Sequence, residues 1–227
     1  MARYSQFLYQ QNEKYIVRQF GNRREWLRGR SQGIGGSDAS AVIGQNPWKD
    51  NLALWEEKTG RKEPEDISER EVVIYGNAVE EALRQIYQAK HRGEIEVNYM
   101  PNVTLQNREH PELQYSPDGL LVDSQGRKGI LEIKTTTILR SRDKEKWNEQ
   151  IPPNYFIQVL HGLNVTGFEF VDVFAELTLR PDLSQLREYH IEREGQEEAL
   201  QYLQEEVLAF WDKVITDQEP ALLLPMI

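Results

Sequence analysis

The chain has 227 residues, of which 39% are hydrophobic and 28% charged, so it is long enough to bury a core and too apolar to be a disordered chain. It contains no cysteine, which excludes disulfides, cysteine-ligated zinc and iron–sulfur clusters. The formal net charge of −10 weighs against a plain nucleic-acid binder, which needs a basic footprint, although carboxylates gathered to hold a divalent cation also raise the acidic count.

The polar start, residues 1–15, does not read as a signal peptide, and no apolar run reaches the length of a membrane span, so a cytoplasmic protein is expected. A Gly-rich turn from Gly33 to Gly36 leads into residues 37–44, where Ser37 is suited to cap a short helix that Gly44 ends. Residues 50–59 read as a second helix closed by Gly60, and the charged stretch 61–71, with Pro64, as a connection between helices. Val79, Leu83, Ile86 and Tyr87 recur at helical spacing within residues 76–90. Extended segments follow at 95–106, 113–122 and 129–136, the last two joined by the turn-rich residues 123–129 as an antiparallel hairpin. Residues 154–165 read as a buried helix after Pro152 and Pro153, 168–177 and 186–193 as strands, and 195–215 as a long amphipathic helix. Helices before and after a central sheet predict an α/β layered fold, expected as one domain over 1–227.

The chemistry concentrates in Ser116-Pro117-Asp118-Gly119 and, after the hairpin turn, Glu132-Ile133-Lys134. Side chains alternate along a strand, so Glu132 and Lys134 project to one face and Leu131 and Ile133 to the other, into a core. Asp118, on the partner strand or at its bend, falls within reach of Glu132. Two carboxylates held together resist joint ionisation unless a cation sits between them, and Mg²⁺, which takes oxygen ligands and shares phosphate oxygens with a substrate, suits them. A lysine beside that cation can orient or deprotonate an attacking water and neutralise charge on a phosphate. A solvated hairpin face carrying Asp, Glu and Lys is the plainer reading of the same pattern. The apolar Ile130-Leu131 flank and the irregular backbone at Asp118 favour the functional one.

The order Arg30-x₆-Ser37, Gly76-x₃-Glu80, SPDG to LEIK, then Tyr155-x-x-Gln158 resembles the lambda-exonuclease/YqaJ viral recombinase family, within the PD-(D/E)xK nucleases. The resemblance runs from Trp26 to Thr166, with strands and a helix over 167–216 matching in layout alone. It implies a restriction-endonuclease-like core, a central mixed sheet flanked by helices. It also implies that Asp118, Glu132 and the main-chain carbonyl of Ile133 hold Mg²⁺, with Mn²⁺ as a substitute, and that Lys134 acts on the attacking water. Glu80 would reach the same site, Ser116 would help position a phosphate, Arg30 and Ser37 would bind a terminal 5′-phosphate, and Tyr155 and Gln158 would face DNA. The implied activity is a 5′-to-3′ exonuclease on double-stranded DNA ends that leaves 3′ single-stranded tails for recombination. The implied setting is a phage or prophage gene, a homotrimeric ring around DNA and a single-strand annealing protein as partner. Another PD-(D/E)xK endonuclease and a non-catalytic DNA-end-binding accessory protein are the alternatives.

Each of these residues also has a plainer reading: Ser37 as a helix cap, Glu80 as a solvated helix glutamate, Tyr155 and Gln158 as packing or capping residues, Arg30 as one of a basic run. The four histidines lack metal-ligand spacing and read as structural or surface groups, His161 alone lying where it could face DNA. The five tryptophans read as core or packing residues, with Trp48, after Pro47 in a loop, as the one suited to support a DNA end. Arg140 and Arg142, in a mixed-charge stretch, are candidates for backbone phosphate contacts.

Overall fold

The computed structural model describes residues 13–180 and 182–224; residues 1–12 of the polar start lie outside that range. Four helices come early: α1 (Arg23–Arg30), α2 (Gly36–Val42), α3 (Asn51–Lys58) and α4 (Glu71–Lys90). The strands are β1 (Tyr15–Gln19), β2 (Ile95–Asn98), β3 (Val103–Asn107), β4 (Gln114–Tyr115), β5 (Gly119–Asp123), β6 (Lys128–Thr137), β7 (Phe170–Arg180) and β8 (Leu183–Glu192). Helices α5 (Ser141–Glu145) and α6 (Pro153–Thr166) lie between β6 and β7, and α7 (Glu197–Ile215) follows β8. No helix of the described residues is long and apolar enough to cross a membrane.

The expected mixed α/β architecture is present. Five strands form one sheet in the order β2-β5-β6-β7-β8, and β1, β3 and β4 form a small antiparallel sheet beside it. Strand β6 is the axis: β5 pairs with it antiparallel, Gly119 opposite Leu131, while β7 runs parallel, Val173 opposite Glu132. A parallel neighbour requires a crossover, and α6 provides it, with Pro153 in its first turn and Gly167 ending it at φ 69°. The β6 alternation separates two cores. Leu131 and Ile133 pack with Leu83 and Tyr87 of α4 and with Phe170 and Phe174, while Ile130 belongs to the larger core that includes α6 and α7. Each fully buried side chain of this kind contributes about 1.5–3 kcal/mol, so the strand that carries Glu132 and Lys134 is held from both faces.

Five sequence expectations are corrected. Residues 95–106 form two strands in different sheets, broken around Asn102 at φ 55°. Residues 113–122 likewise divide into β4 and β5, and Asp118 sits in the break. Helix α4 starts at Glu71 rather than Gly76, because Gly76 is tolerated inside the helix where the chain passes Thr135, whose Oγ1 would lie 3.1 Å from an added Cβ. Gly35, not Ser37, is the N-cap of α2, and Asp38 accepts the Gly35 N–H at 3.2 Å. His161 is buried and faces no ligand: its Nε2 lies 3.0 Å from the Ile34 carbonyl and 3.1 Å from that of Gln114, and burial holds the imidazole down to about 4, so it is neutral.

Gly162 of α6 is where helix and site meet, since an added Cβ would stand 2.8 Å from Tyr115 Cζ and 3.0 Å from Ile130 Cδ1. Overpacking of this kind costs about 1–3 kcal/mol. Gly162→Ala is expected to lower the unfolding free energy by about 1–3 kcal/mol, read as a lower urea midpoint at unchanged slope, and an unchanged midpoint would contradict the close packing.

Candidate active site

The irregular link between β4 and β5 places Asp118 at the edge of the sheet. Its Oδ2 accepts the Ile133 N–H at 2.7 Å, which ties the carboxylate to β6 where the β5 pairing has ended. Glu132, one residue before, is only 2% exposed. Its Oε1 accepts from Lys134 Nζ at 2.6 Å and from the Gln158 amide, and its Oε2 accepts from the Tyr115 hydroxyl. Lys134 also donates to Gln158 Oε1 at 3.1 Å and lies 4.9 Å from the centre of the Tyr155 ring. Three segments (β4, β6 and α6) therefore converge on one buried carboxylate.

A cleft of about 290 Å³ opens over this group. Of the site residues that the family resemblance implied, all but Tyr155 line it: Arg30, Ser37, Glu80, Ser116, Asp118, Glu132, Ile133, Lys134 and Gln158. Tyr155 stands behind Lys134, between Trp48 and Trp147. Ser37 is exposed in the first turn of α2, and Gly36 lets that turn approach, since a Cβ there would stand 2.7 Å from the Tyr115 ring and 2.9 Å from Gln158 Cγ. Arg140 and Arg142 are exposed at α5 and do not line the cleft.

Three residues that brace the site were not given that part from the sequence. Tyr115 is one. Trp26, read as packing, lines the cleft: its indole donates to Ser116 Oγ at 3.2 Å, and the Arg30 guanidinium lies 4.6 Å from its ring centre. The i,i+4 spacing of Trp26 and Arg30 is a signal for that stacking. Arg84 is the third. Its Nε donates to the Asp118 carbonyl at 2.7 Å, another guanidinium nitrogen pairs with Glu80, and the group lies 3.5 Å from the Tyr99 ring centre.

The electrostatics are unbalanced in the carboxylates' disfavour. Burial, then the charges of Glu132 and Glu80, push Asp118 well above the ordinary carboxylate range, against the opposing pull of Lys134 and the Ile133 N–H. Burial also raises Glu80, with Arg84 opposing and Glu132 adding to the rise. Burial disfavours the Lys134 ammonium, but Glu132 and Asp118 outweigh it and raise its pKa, so Lys134 is cationic here. Asp38 behaves differently. Burial raises it, yet Lys58 at 2.8 Å outweighs burial and lowers it, so its charge is matched by a lysine rather than aimed at the cleft.

The donor set fits a hard divalent cation: hydrogen-bonded carboxylates with like-charge repulsion left over. Among the described residues no three such side chains form a ready metal cage. Glu132 is engaged by Lys134 and Gln158, and Glu80 by Arg84. Mg²⁺ is commonly held by one or two carboxylates and substrate phosphates rather than by an all-protein cage.

A family model described as YqaJ-like viral recombinase domain matches residues 25–169. The uncharacterized protein YqaJ of Bacillus subtilis (strain 168) is 32% identical over 202 residues, which is 88% of this chain and 59% of that protein. The chain thus spans less than two thirds of that relative's length. The alkaline exonuclease LHK-Exo from Laribacter hongkongensis, also solved in complex with dAMP, superposes with a TM-score of 0.65 at 21% identity, over 86% of this chain and 94% of its own. A phage related exonuclease from Haemophilus somnus 129PT superposes with a TM-score of 0.54 at 12% identity, over 82% of this chain and 96% of its own. At these identities the two structures show a shared fold.

The raised pKa of Asp118 has a sign that can be checked. Its folded value lies above the ordinary 3.8, so the native state retains a proton that the unfolded chain releases, and stability falls as pH rises above 3.8. Asp118→Asn removes the charge and keeps an acceptor for the Ile133 N–H. It is expected to raise the thermal midpoint at pH 8 in metal-free buffer, with the gain vanishing as pH falls towards 4; a lower midpoint at pH 8 would contradict the electrostatic imbalance.

Proposed function

The chain belongs to the YqaJ-like viral recombinase domain family, and on that premise we propose that it is a divalent-metal-dependent exonuclease that degrades one strand of double-stranded DNA from its 5′ end. The observation that carries this reading is the shared cleft, in which Asp118, Glu132 and Lys134 lie with Arg30 and Ser37. Carboxylates and a lysine suit phosphodiester hydrolysis, and an arginine beside a serine hydroxyl suits a terminal phosphate.

In this reading Asp118, Glu132 and the Ile133 carbonyl hold Mg²⁺, which Mn²⁺ can replace, with Glu80 contributing from α4. The cation, when bound, polarises the scissile phosphate and neutralises part of its charge. Lys134 exchanges its bond to Glu132 for the phosphate or the attacking water, directing a proton donor at the oxygen where charge develops. Gln158 orients Lys134 through its side-chain oxygen, and Tyr155 backs the ammonium with its ring. Ser116, fixed by Trp26 and Thr104, presents a hydroxyl to the phosphate. Arg30 and Ser37 bind the terminal 5′-phosphate, which sets direction and leaves a 3′ single-stranded tail. The biological setting we infer is phage-type recombination, with a homotrimeric ring and a single-strand annealing protein as partner. A ring would retain DNA by topology, which suits a chain of net charge −10.

Linear duplex DNA with 5′-phosphate or 5′-hydroxyl ends, incubated with Mg²⁺ or EDTA, tests this reading. Mononucleotide release is expected to need Mg²⁺, to be faster on 5′-phosphate ends, and to fall at least about 100-fold in Asp118→Ala. Cutting of closed circular DNA would point instead to an endonuclease, and end binding without cleavage to an accessory protein.

A further inference from the structure

Aromatic side chains form a continuous run of tilted ring contacts beside the cleft. The Tyr189 ring lies 5.9 Å from Trp147, Trp147 lies 5.6 Å from Tyr155, and Tyr155 lies 6.4 Å from Trp48, centre to centre. The run passes through the core, where Trp147 is 4% exposed, and ends in solvent, where Trp48 is 72% exposed. Trp48 is nevertheless held in place. Asn46 Oδ1 accepts the N–H groups of Trp48 at 2.9 Å and Lys49 at 3.1 Å, while its Nδ2 donates to the Ser37 carbonyl at 3.2 Å and to Ser40 Oγ at 3.1 Å. The loop is therefore fastened to α2, the helix that presents Ser37 to the cleft. The Tyr155 ring neighbours both Trp48 and Lys134.

We propose that Trp48 is a stacking platform for an unpaired nucleobase of the strand that enters the cleft, an inference that rests on the nuclease reading above. A flat, preorganised indole with a solvent face suits a base, because every base has a π-face and stacking tolerates any sequence. The next residue, Lys49, is charged and paired with Glu57; charged groups are depleted from the cores of protein–protein interfaces, whereas a lysine beside an aromatic ring suits a nucleic-acid strand. Inside a duplex the base faces are covered by their neighbours. A platform of this kind therefore reads a terminal or unpaired base, and it ties the site to DNA ends independently of Arg30 and Ser37.

The test uses Asp118→Asn protein, to prevent cleavage, with Trp48 intact or replaced by Ala or Phe. Each is titrated with a 3′-labelled oligothymidylate and with the same oligomer in which abasic sites replace the bases. Trp48→Ala is expected to weaken oligothymidylate binding roughly 5- to 100-fold and Trp48→Phe much less, while the abasic oligomer binds all three proteins alike. Trp48→Ala should also leave the thermal midpoint unchanged, since the side chain is exposed. Equal oligothymidylate affinity with and without Trp48, or an equal loss on the abasic oligomer, would overturn the platform while leaving the nuclease reading intact. Failure of the Asp118→Asn protein with Trp48 intact to bind either oligomer, together with failure of the unsubstituted protein to cleave DNA with Mg²⁺, would overturn both.

Discussion

Glu132 carries a carboxylate at 2% exposure, and an unpaired charge at that depth costs several kcal/mol. Its compensation dictates what surrounds it. Lys134 supplies a countercharge from the same strand, Gln158 an amide from α6 and Tyr115 a hydroxyl from β4. Burial and the Glu132 charge push the Tyr115 phenol well above its ordinary range, so it stays a donor. For these groups to meet, α2 and α6 must close on the Tyr115 ring, and Gly36 and Gly162 are the positions where any side chain would obstruct them.

Compensation stops short at the neighbouring acids. Asp118 and Glu80 are both raised by burial and by the charge of Glu132, with Lys134 opposing at both and Arg84 opposing at Glu80. A site optimised for stability alone would replace one of these carboxylates with a neutral group. Retaining all three is the familiar conflict between stability and function. It is consistent with a cation and a phosphate completing the charge balance. Arg84 has a structural part in this, because its bond to the Asp118 carbonyl fixes the main chain at the break between two sheets.

What the sequence revealed depended on the range of the interaction. The two-residue period of β6 exposed the opposite faces of Glu132 and Ile133, and the turn-rich residues 123–129 exposed the hairpin, because both are local. Glu80 and Gln158 were legible through the order of their motifs, not through any property of the residues themselves. The splits at Asn102 and Ser116–Asp118 were not legible, because extended backbone reads alike whichever sheet it joins. Tyr115, Trp26 and Arg84 escaped for a related reason: each acts across long sequence separations, Trp26 on Ser116 and Arg84 on Asp118, and composition gives no sign of such pairings. His161 read as a possible DNA contact because helical spacing places it one turn after Gln158, but only the packing of Ile34 and Gln114 buries it.

In the proposed reading Asp118 and Glu132 together accept a divalent cation, and anomalous scattering from crystals of the chain soaked in Mn²⁺ tests that pairing. One peak is expected about 2–2.3 Å from carboxylate oxygens of both residues, with Lys134 displaced from Glu132 Oε1. A peak elsewhere, or no peak with Lys134 still about 2.6 Å from Glu132, would contradict it.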